Sequence, residues 1–382
     1  MEHDLETFRA ETRVWLEANC PPEMRDSAQG EDTICWGGKN WAFTSEAQKT
    51  WLDRMAAKGW TVPTWPQEYG GADLNRAQDK ILTEELQDMG ARLPLQSFGI
   101  WMLGPALLHF GTHEQKLQYL PPIARGEIRW CQGYSEPGAG SDLASVQTRA
   151  EIDGDMYVVN GQKVWTSYAD KADWIFALVR TDREAPKHKG ISFVLIDMTM
   201  PGVTTRPIRL ISGQSPFCET FFDNVRTPRA QRVGEENRGW DVAKYLLNHE
   251  REMISGGGQG LLGGRPLGAV LSEISDDLDP TIRAEATACE IDTLAMAMTL
   301  DRYKDQAETT EIGDASAMLK YAGTELNKRR YELMMKAKGA DALAWEDGEA
   351  ERWLRTKANS IEGGTSEVML SIISRRVLGL PG

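Results

Sequence analysis

RAEIDGDMYVVNGQKVWTS, residues 149–167, decides how the rest of the chain is read. Short runs of alternating apolar and polar residues are punctuated by the turn pairs Asp153-Gly154 and Asn160-Gly161. That pattern belongs to strands joined by tight turns. More runs of strand composition follow: WIFALVRTD at 174–182, GISFVLIDM at 190–198, GVTTRPIRL at 202–210 and CETFFDNVRTP at 218–228. Together they predict an antiparallel β-domain over 127–236.

Both flanks are helical in period. In the first segment Leu5, Phe8, Val14 and Trp15 recur on one side, and 78–90 (QDKILTEELQDMG) is a second amphipathic stretch. FGTHEQKLQYLPPIARGE at 110–127 predicts a short helix stopped by Pro121 and Pro122. After VGEENRGW (233–240) the helical period returns over 241–254, 282–304, 315–337 and 365–378. The expected fold is mainly α with a central β-domain: a helical domain over 1–126, the β-domain over 127–236 and a helical domain over 237–382.

This order is not the strand–helix alternation of a doubly wound sheet. The GxGxxG match at Gly258–Gly263 therefore lacks its context. A dinucleotide fingerprint needs a strand before it, and KYLLNHEREMIS at 244–255 is charged and helical in period. Small residues on the packing side of a helix explain these glycines better.

Composition narrows the function. With 43 Lys and Arg against 57 Asp and Glu, the formal charge of −14 repels a phosphate backbone, so nucleic acid is not an expected partner. No apolar run is long enough for a membrane span. The five cysteines, Cys20, Cys35, Cys131, Cys218 and Cys289, form no CxxC pair, which suits reduced thiols. The N-terminus mixes acids with apolar residues and has no apolar signal block, so a cytoplasmic location is expected. His109 and His113 stand four apart beside Glu114, but Gly111 and Thr112 break the helix and no third ligand is evident. No metal is expected.

Three stretches carry chemistry. In Tyr134-Ser135-Glu136-Pro137-Gly138-Ala139-Gly140-Ser141-Asp142, proline and two glycines set a tight loop with accessible N–H groups, flanked by hydroxyls at Ser135 and Ser141. Such a loop suits a flat heterocycle or a pyrophosphate, and an ordinary β-domain loop would look the same. In GQKVWTS (161–167), Trp165 beside Thr166 and Ser167 offers a stacking face with hydrogen bonds; with 13 Trp in the chain, a core tryptophan is the plainer account. In Ile361-Glu362-Gly363-Gly364-Thr365-Ser366-Glu367, two glycines before Thr365 expose first-turn N–H groups that attract phosphate. A capped helix start explains Thr365 but not the glycines.

Taken with KGISFVLIDM (189–198), FFDNVRTP (221–228), GEENRGW (234–240) and GGTSEVMLSIISRRVLGLP (363–381), and in this order along most of the chain, these stretches resemble the acyl-CoA dehydrogenase family. The resemblance implies a helical N-terminal domain, a β-domain and a C-terminal four-helix bundle, with FAD between β-domain and bundle and an acyl-CoA thioester against the flavin. It implies flavin contacts from Tyr134, Ser135, Gly140, Ser141, Trp165, Thr166, Ser167, Thr365 and Glu367, with Ser141 also facing substrate. The implied reaction removes hydrogen from a Cα–Cβ bond to give a trans-2-enoyl thioester. That chemistry needs a desolvated carboxylate base and donors at the thioester oxygen.

Many relatives carry the base immediately before Gly-Thr. Aligned on Gly364-Thr365 that position is Gly363, which offers only its backbone N–H, and Glu362 sits one place early. A second branch, resembling isovaleryl-CoA and long-chain dehydrogenases, carries the base on a bundle helix before an arginine; Asn248-His249-Glu250-Arg251 matches it. Ala243, Leu246, Leu247, Glu250 and Ile254 share one stripe, so Glu250 is a lone carboxylate on an apolar face. The resemblance makes Glu250 the expected base, Glu362 the reserve, and Arg251 a CoA phosphate contact.

The family's Arg-x-x-Phe-Gly and Gln-x-x-Gly-Gly motifs, which complete the FAD site of a neighbouring subunit, are weak here. GLLGGRPLGAV offers Arg265 alone, and Lys336-Ala337-Lys338-Gly339-Ala340 has Lys where Gln is expected. The expected assembly is a homo-oligomer (dimer or tetramer) or an α2β2 tetramer with a paralogous subunit. Electron-transfer flavoprotein is the expected acceptor. Two other readings stand: the same scaffold as an oxidase or desulfinase, and a non-catalytic subunit of a heterotetramer.

Overall fold

The computed structural model describes residues 2–26, 33–252, 267–274, 278–306, 316–345 and 348–381, the side chains of 2–3, 248–252 and 304–306 excepted. The chain forms two compact units, one of Met1–Pro207 with Phe217–Ala243, the other of Ile208–Pro216 with Lys244–Gly382.

The first unit opens with helices α1 (Glu2–Asn19), α2 (Glu46–Ala57) and α3 (Arg76–Asp88). Ser45 caps α2 by accepting from Gln48 N, and Asn75 with Gln78 forms a reciprocal capping box on α3. Leu16, Trp51, Met55, Trp60 and Leu82 share their core. The buried stripe of α1 differs from expectation: Val14 is exposed, and Thr12 and Leu16 face inward. A π-helical turn (Gly99–Leu103) leads into α4 (Gly104–Phe110), followed by α5 (His113–Ala124). Pro121 and Pro122 do not stop α5. They sit in its last turns, where buried Tyr119, Leu120 and Ile123 hold the helix in place; it ends at Ala124, and Gly126 with φ +70° turns the chain away after the cap at Arg125.

The sheet contains β1 (Trp130–Gly133), β2 (Arg149–Asp153), β3 (Met156–Ser167), β4 (Trp174–Arg180), β5 (Ile191–Asp197), β6 (Val203–Ile208), β7 (Phe217–Pro228) and β8 (Arg232–Val233). Its order is β6-β7-β3-β2-β4-β5-β8, with β1 beside β4. It is mixed rather than wholly antiparallel, because β1 and the start of β2 run parallel to β4. Asp153-Gly154 makes the expected hairpin, pairing Asp153 with Met156. Asn160-Gly161 is not a turn: β3 runs through it with a bulge. A Cβ on Gly161 would lie 2.5 Å from Thr148 Oγ1, so glycine there permits close approach of the neighbouring chain.

Helix α6 (Gly239–Glu252) carries the chain into the second unit, where α7 (Leu267–Ile274), α8 (Pro280–Gln306), α9 (Ser316–Lys338), α10 (Glu349–Thr356) and α11 (Ser366–Ile372) follow. Leu267, Leu271, Cys289 and Leu333 make one core cluster of α7, α8 and α9. Among the described residues no helix is long and apolar enough to cross a membrane. All five cysteines are buried and unpaired with one another.

Candidate functional site

The loop after β1 is built on a buried ion pair. Glu136 and Ala139 exchange N–H···O bonds of 3.0 Å in both directions, closing a tight turn over Pro137-Gly138. Glu136, 7% exposed, then accepts from Gln147 N at 2.6 Å and Thr148 N at 2.9 Å. Lys163 comes from β3, is fully buried, and donates to Glu136 Oε1 at 2.7 Å, Leu178 O at 2.6 Å and Tyr134 O at 3.1 Å. Each of its three donors therefore has an acceptor. Burial pushes the Lys163 ammonium down to about 8, with Glu136 opposing the fall. Burial raises Glu136, but Lys163 and the hydrogen bonds outweigh it and hold the carboxyl below its usual range.

One more bond joins the loop to the second stretch: Val164 N donates to Ser135 O at 2.9 Å. Immediately after it, β3 bulges between Lys163 and Thr166. Trp165 takes φ +59° and is thrown outward, 54% exposed, with its ring edge-on to Phe217 at 6.0 Å. It is therefore not a core tryptophan. Thr166 turns the other way and is fully buried, and Ser167 is half-buried. Tyr134 is also turned inward, edge-on to Phe176 and Phe193, so its backbone rather than its ring belongs to the loop surface. Gly138, Gly140 and Ser141 are exposed, and no described hydrogen bond uses their N–H groups. Open donors beside an outward indole suit a flat, acceptor-rich heterocycle, and these residues fit a flavin nucleotide.

In the second unit, the stretch before α11 has a local reason for its glycines. Gly363 and Gly364 take φ +63° and +98°, and a Cβ on Gly364 would come 2.5 Å from Met369 Cε. Thr365 caps α11 by accepting from Val368 N at 3.2 Å, and Glu367 is exposed in the first turn. Buried Lys320 of α9 pins the turn from below, donating to Asn359 O at 2.9 Å and Gly364 O at 2.7 Å. Glu362 is committed elsewhere. Arg355 grips it through both oxygens at 3.0 and 2.8 Å, and Asn359 Nδ2 adds a third bond at 2.8 Å.

Glu250 and Arg251 lie in the last turns of α6, and their side chains lie outside the described residues. So do Gly258–Gly263 and Arg265. Lys336 and Lys338 are engaged by Glu285 at 2.8 Å and Glu349 at 2.9 Å. His113 Nδ1 lies 3.4 Å from Tyr69 Oη, and the His109 ring is edge-on to Phe110. Sequence reasoning missed Glu136 and Lys163. The available signal was a lysine placed among the apolar residues of a strand, where it requires an acid.

Three family models match the chain: acyl-CoA dehydrogenase N-terminal domain over 2–127, middle domain over 131–225 and C-terminal domain over 278–378. Acyl-CoA dehydrogenase IpdE1 of Mycobacterium tuberculosis is 39% identical, across 99% of this chain and 98% of its own length. The solved structure described as "Tcur3481-Tcur3483 steroid ACAD" is 31% identical with a TM-score of 0.79, covering 99% of this chain and 98% of that one. The ChsE4-ChsE5 complex from Mycobacterium tuberculosis is 30% identical with a TM-score of 0.75, over the same shares of the two chains.

Proposed function

The chain belongs to the acyl-CoA dehydrogenase family, and on that premise we propose that it oxidises the Cα–Cβ bond of an acyl-CoA thioester to the trans-2-enoyl product, with Glu250 as the base. Membership makes it an oxidoreductase with FAD as cofactor. FAD, when bound, supplies the acceptor for the β-hydride.

The chain's own residues do the rest. The N–H groups of Gly140 and Ser141, with the Ser135 hydroxyl, would hold the flavin nucleotide, and Ser167 would bond the ring that Trp165 would flank. Thr365 and Glu367 are the proposed flavin contacts of α11. The Gly363 N–H steadies the thioester oxygen, where enolate charge develops. Arg251 suits a CoA phosphate.

The observation that carries Glu250 is the buried stripe of α6. Gly239, Val242, Ala243 and Leu246 are buried in succession, and position 250 continues that spacing toward the C-terminus. A carboxylate on such a face is desolvated, which raises its basicity to suit an α-proton. The reserve, Glu362, is held by Arg355 and Asn359.

Relatives described as a steroid dehydrogenase and as a two-protein complex support a bulky, ring-bearing acyl group and an α2β2 assembly with a paralogous subunit. Electron-transfer flavoprotein is the proposed acceptor. The test is Glu250→Gln, purified with flavin and, where needed, its partner. Turnover falls by more than about 10²-fold while flavin content stays full. Near-normal turnover removes Glu250 from the mechanism.

A further inference from the structure

Arg129, immediately before β1, ends in five N–H donors. Among the described residues no hydrogen bond or ion pair ends on its guanidinium, although the residue is only 5% exposed. Its described hydrogen bonds are all made by the backbone: the N–H donates to Asp173 Oδ2 at 2.8 Å, and the carbonyl accepts from Asp173 N at 2.8 Å and Trp174 N at 3.2 Å. Rings stand around Cζ instead: Trp36 at 5.0 Å, Tyr168 at 5.2 Å and Trp41 at 5.9 Å. Cation–π attraction offsets part of the desolvation but supplies no lone pair to the N–H groups.

The nearby acids do not fill that role. Asp173 accepts from the backbone N–H groups of Lys39 and Arg129, and Asp170 accepts from Cys218 Sγ.

A second buried donor faces the same rings. Trp101 Nε1 has no partner among the described residues. Its ring is edge-on to Phe98 at 5.3 Å and to Trp36 at 6.2 Å, and Phe98 stacks on Trp36 at 6.0 Å. Trp101 lies in the π-helical turn Gly99–Leu103, an element that recurs at functional sites. Trp36, Phe98, Trp101 and Tyr168 are each half-buried. The box thus combines flat aromatic walls with donors, the Arg129 guanidinium and Trp101 Nε1, for which no described residue supplies an acceptor. Tyr168 directly follows Ser167, so the box adjoins the strand end assigned to the flavin ring.

We propose that Arg129, walled by Trp36, Trp41 and Tyr168 with Trp101 packed against Trp36, binds a carbonyl or carboxylate oxygen on the distal part of the acyl group, and so selects oxygenated, ring-bearing substrates. This rests on the acyl-CoA reading and specifies its substrate class. A ring packs against the indoles, its oxygen accepts from the guanidinium, and the guanidinium gains an acceptor that no described residue supplies.

The test is equilibrium binding to the flavin-loaded protein of three enoyl thioesters that cannot be dehydrogenated at the same bond again. They are 3-cyclohexylacryloyl-CoA and its 4-oxo and 4-carboxy forms, followed by flavin absorbance and tryptophan fluorescence. Wild type binds at least one oxygen-bearing form about 10- to 100-fold more tightly than the plain ring, the range of a charge-assisted hydrogen bond. Which form wins identifies ketone or carboxylate. In Arg129→Met the ratio falls to about 1, and Arg129→Lys keeps part of a carboxylate preference. Equal affinity of all three for the wild type overturns the proposal without needing any variant. Failure of all three to bind flavin-loaded protein overturns the acyl-CoA reading itself.

Discussion

Arg180 and Arg129 lie at the same depth in the same unit, 6% and 5% exposed, and differ in what surrounds the guanidinium. Arg180 donates to Ala144 O at 2.7 Å, Lys187 O at 2.8 Å and Val146 O at 3.1 and 3.2 Å. Arg129 meets rings. Burial lowers the proton affinity of both. The contrast separates two uses of a buried cation. Arg180, like Lys163 beside it, fastens loops to the sheet; Arg129 holds its hydrogen-bonding capacity in reserve.

Breaking the fastened side has the larger consequence. Lys163→Met strands the Glu136 carboxylate, 7% exposed, and costs about 3–5 kcal/mol, read as a fall in the urea unfolding midpoint. The same variant loosens the turn at Glu136–Ala139, so flavin content falls with stability. Arg180→Met leaves three carbonyls without their donor and costs about 3 kcal/mol in the same measurement. Arg129→Met removes no side-chain hydrogen bond to the described residues, and its lost cation–π attraction is offset by relief of desolvation. Its midpoint shifts by less than about 1 kcal/mol in either direction. A loss as large as that of Arg180→Met would place Arg129 among the fasteners.

The smallest effect is in pH. The folded Lys163 value, about 8, lies under its ordinary 10.5. Between those values the unfolded chain holds a proton that the folded chain has released, so stability from this group rises with pH across that window. Below pH 8 both states are protonated and the contribution is absent. The double variant Glu136→Gln, Lys163→Met lacks this rise, which shows as a difference from wild type in unfolding midpoints between pH 8 and 10.

What could be read from residue order was whatever depends on neighbours in the chain. The periods of α3, α6, α8 and α9 and the Asp153-Gly154 hairpin are local, and each appears within a few residues of its expected place. The loop at 134–142 was legible because proline and glycine restrict the backbone wherever they occur. Asn160-Gly161 misled because a glycine needed for approach to Thr148 looks the same as a glycine needed for a turn. Trp165 was opaque for a related reason: strand alternation is lost at a bulge, so period two no longer says which side chain faces out. Pro121 and Pro122 failed as stop signals because the packing of Tyr119 and Ile123 overrides a local preference. The Arg129 box had no signature at all. Trp36, Phe98, Arg129 and Tyr168 are scattered over more than a hundred positions, and only the fold makes them adjacent.

The excursion at Ile208–Pro216, between paired strands β6 and β7, bears on how the protein is made. These residues belong to the helical unit, where a Cβ on Gly213 would lie 3.6 Å from Trp345 Cζ2. A ribosome emits the hairpin tip well over a hundred residues before its partner. At roughly 5–20 residues per second the tip waits several seconds, uncovered, after its own strands can pair. Cutting the gene at the end of the sheet would leave that tip permanently bare, so the two units are not separable by a single scission.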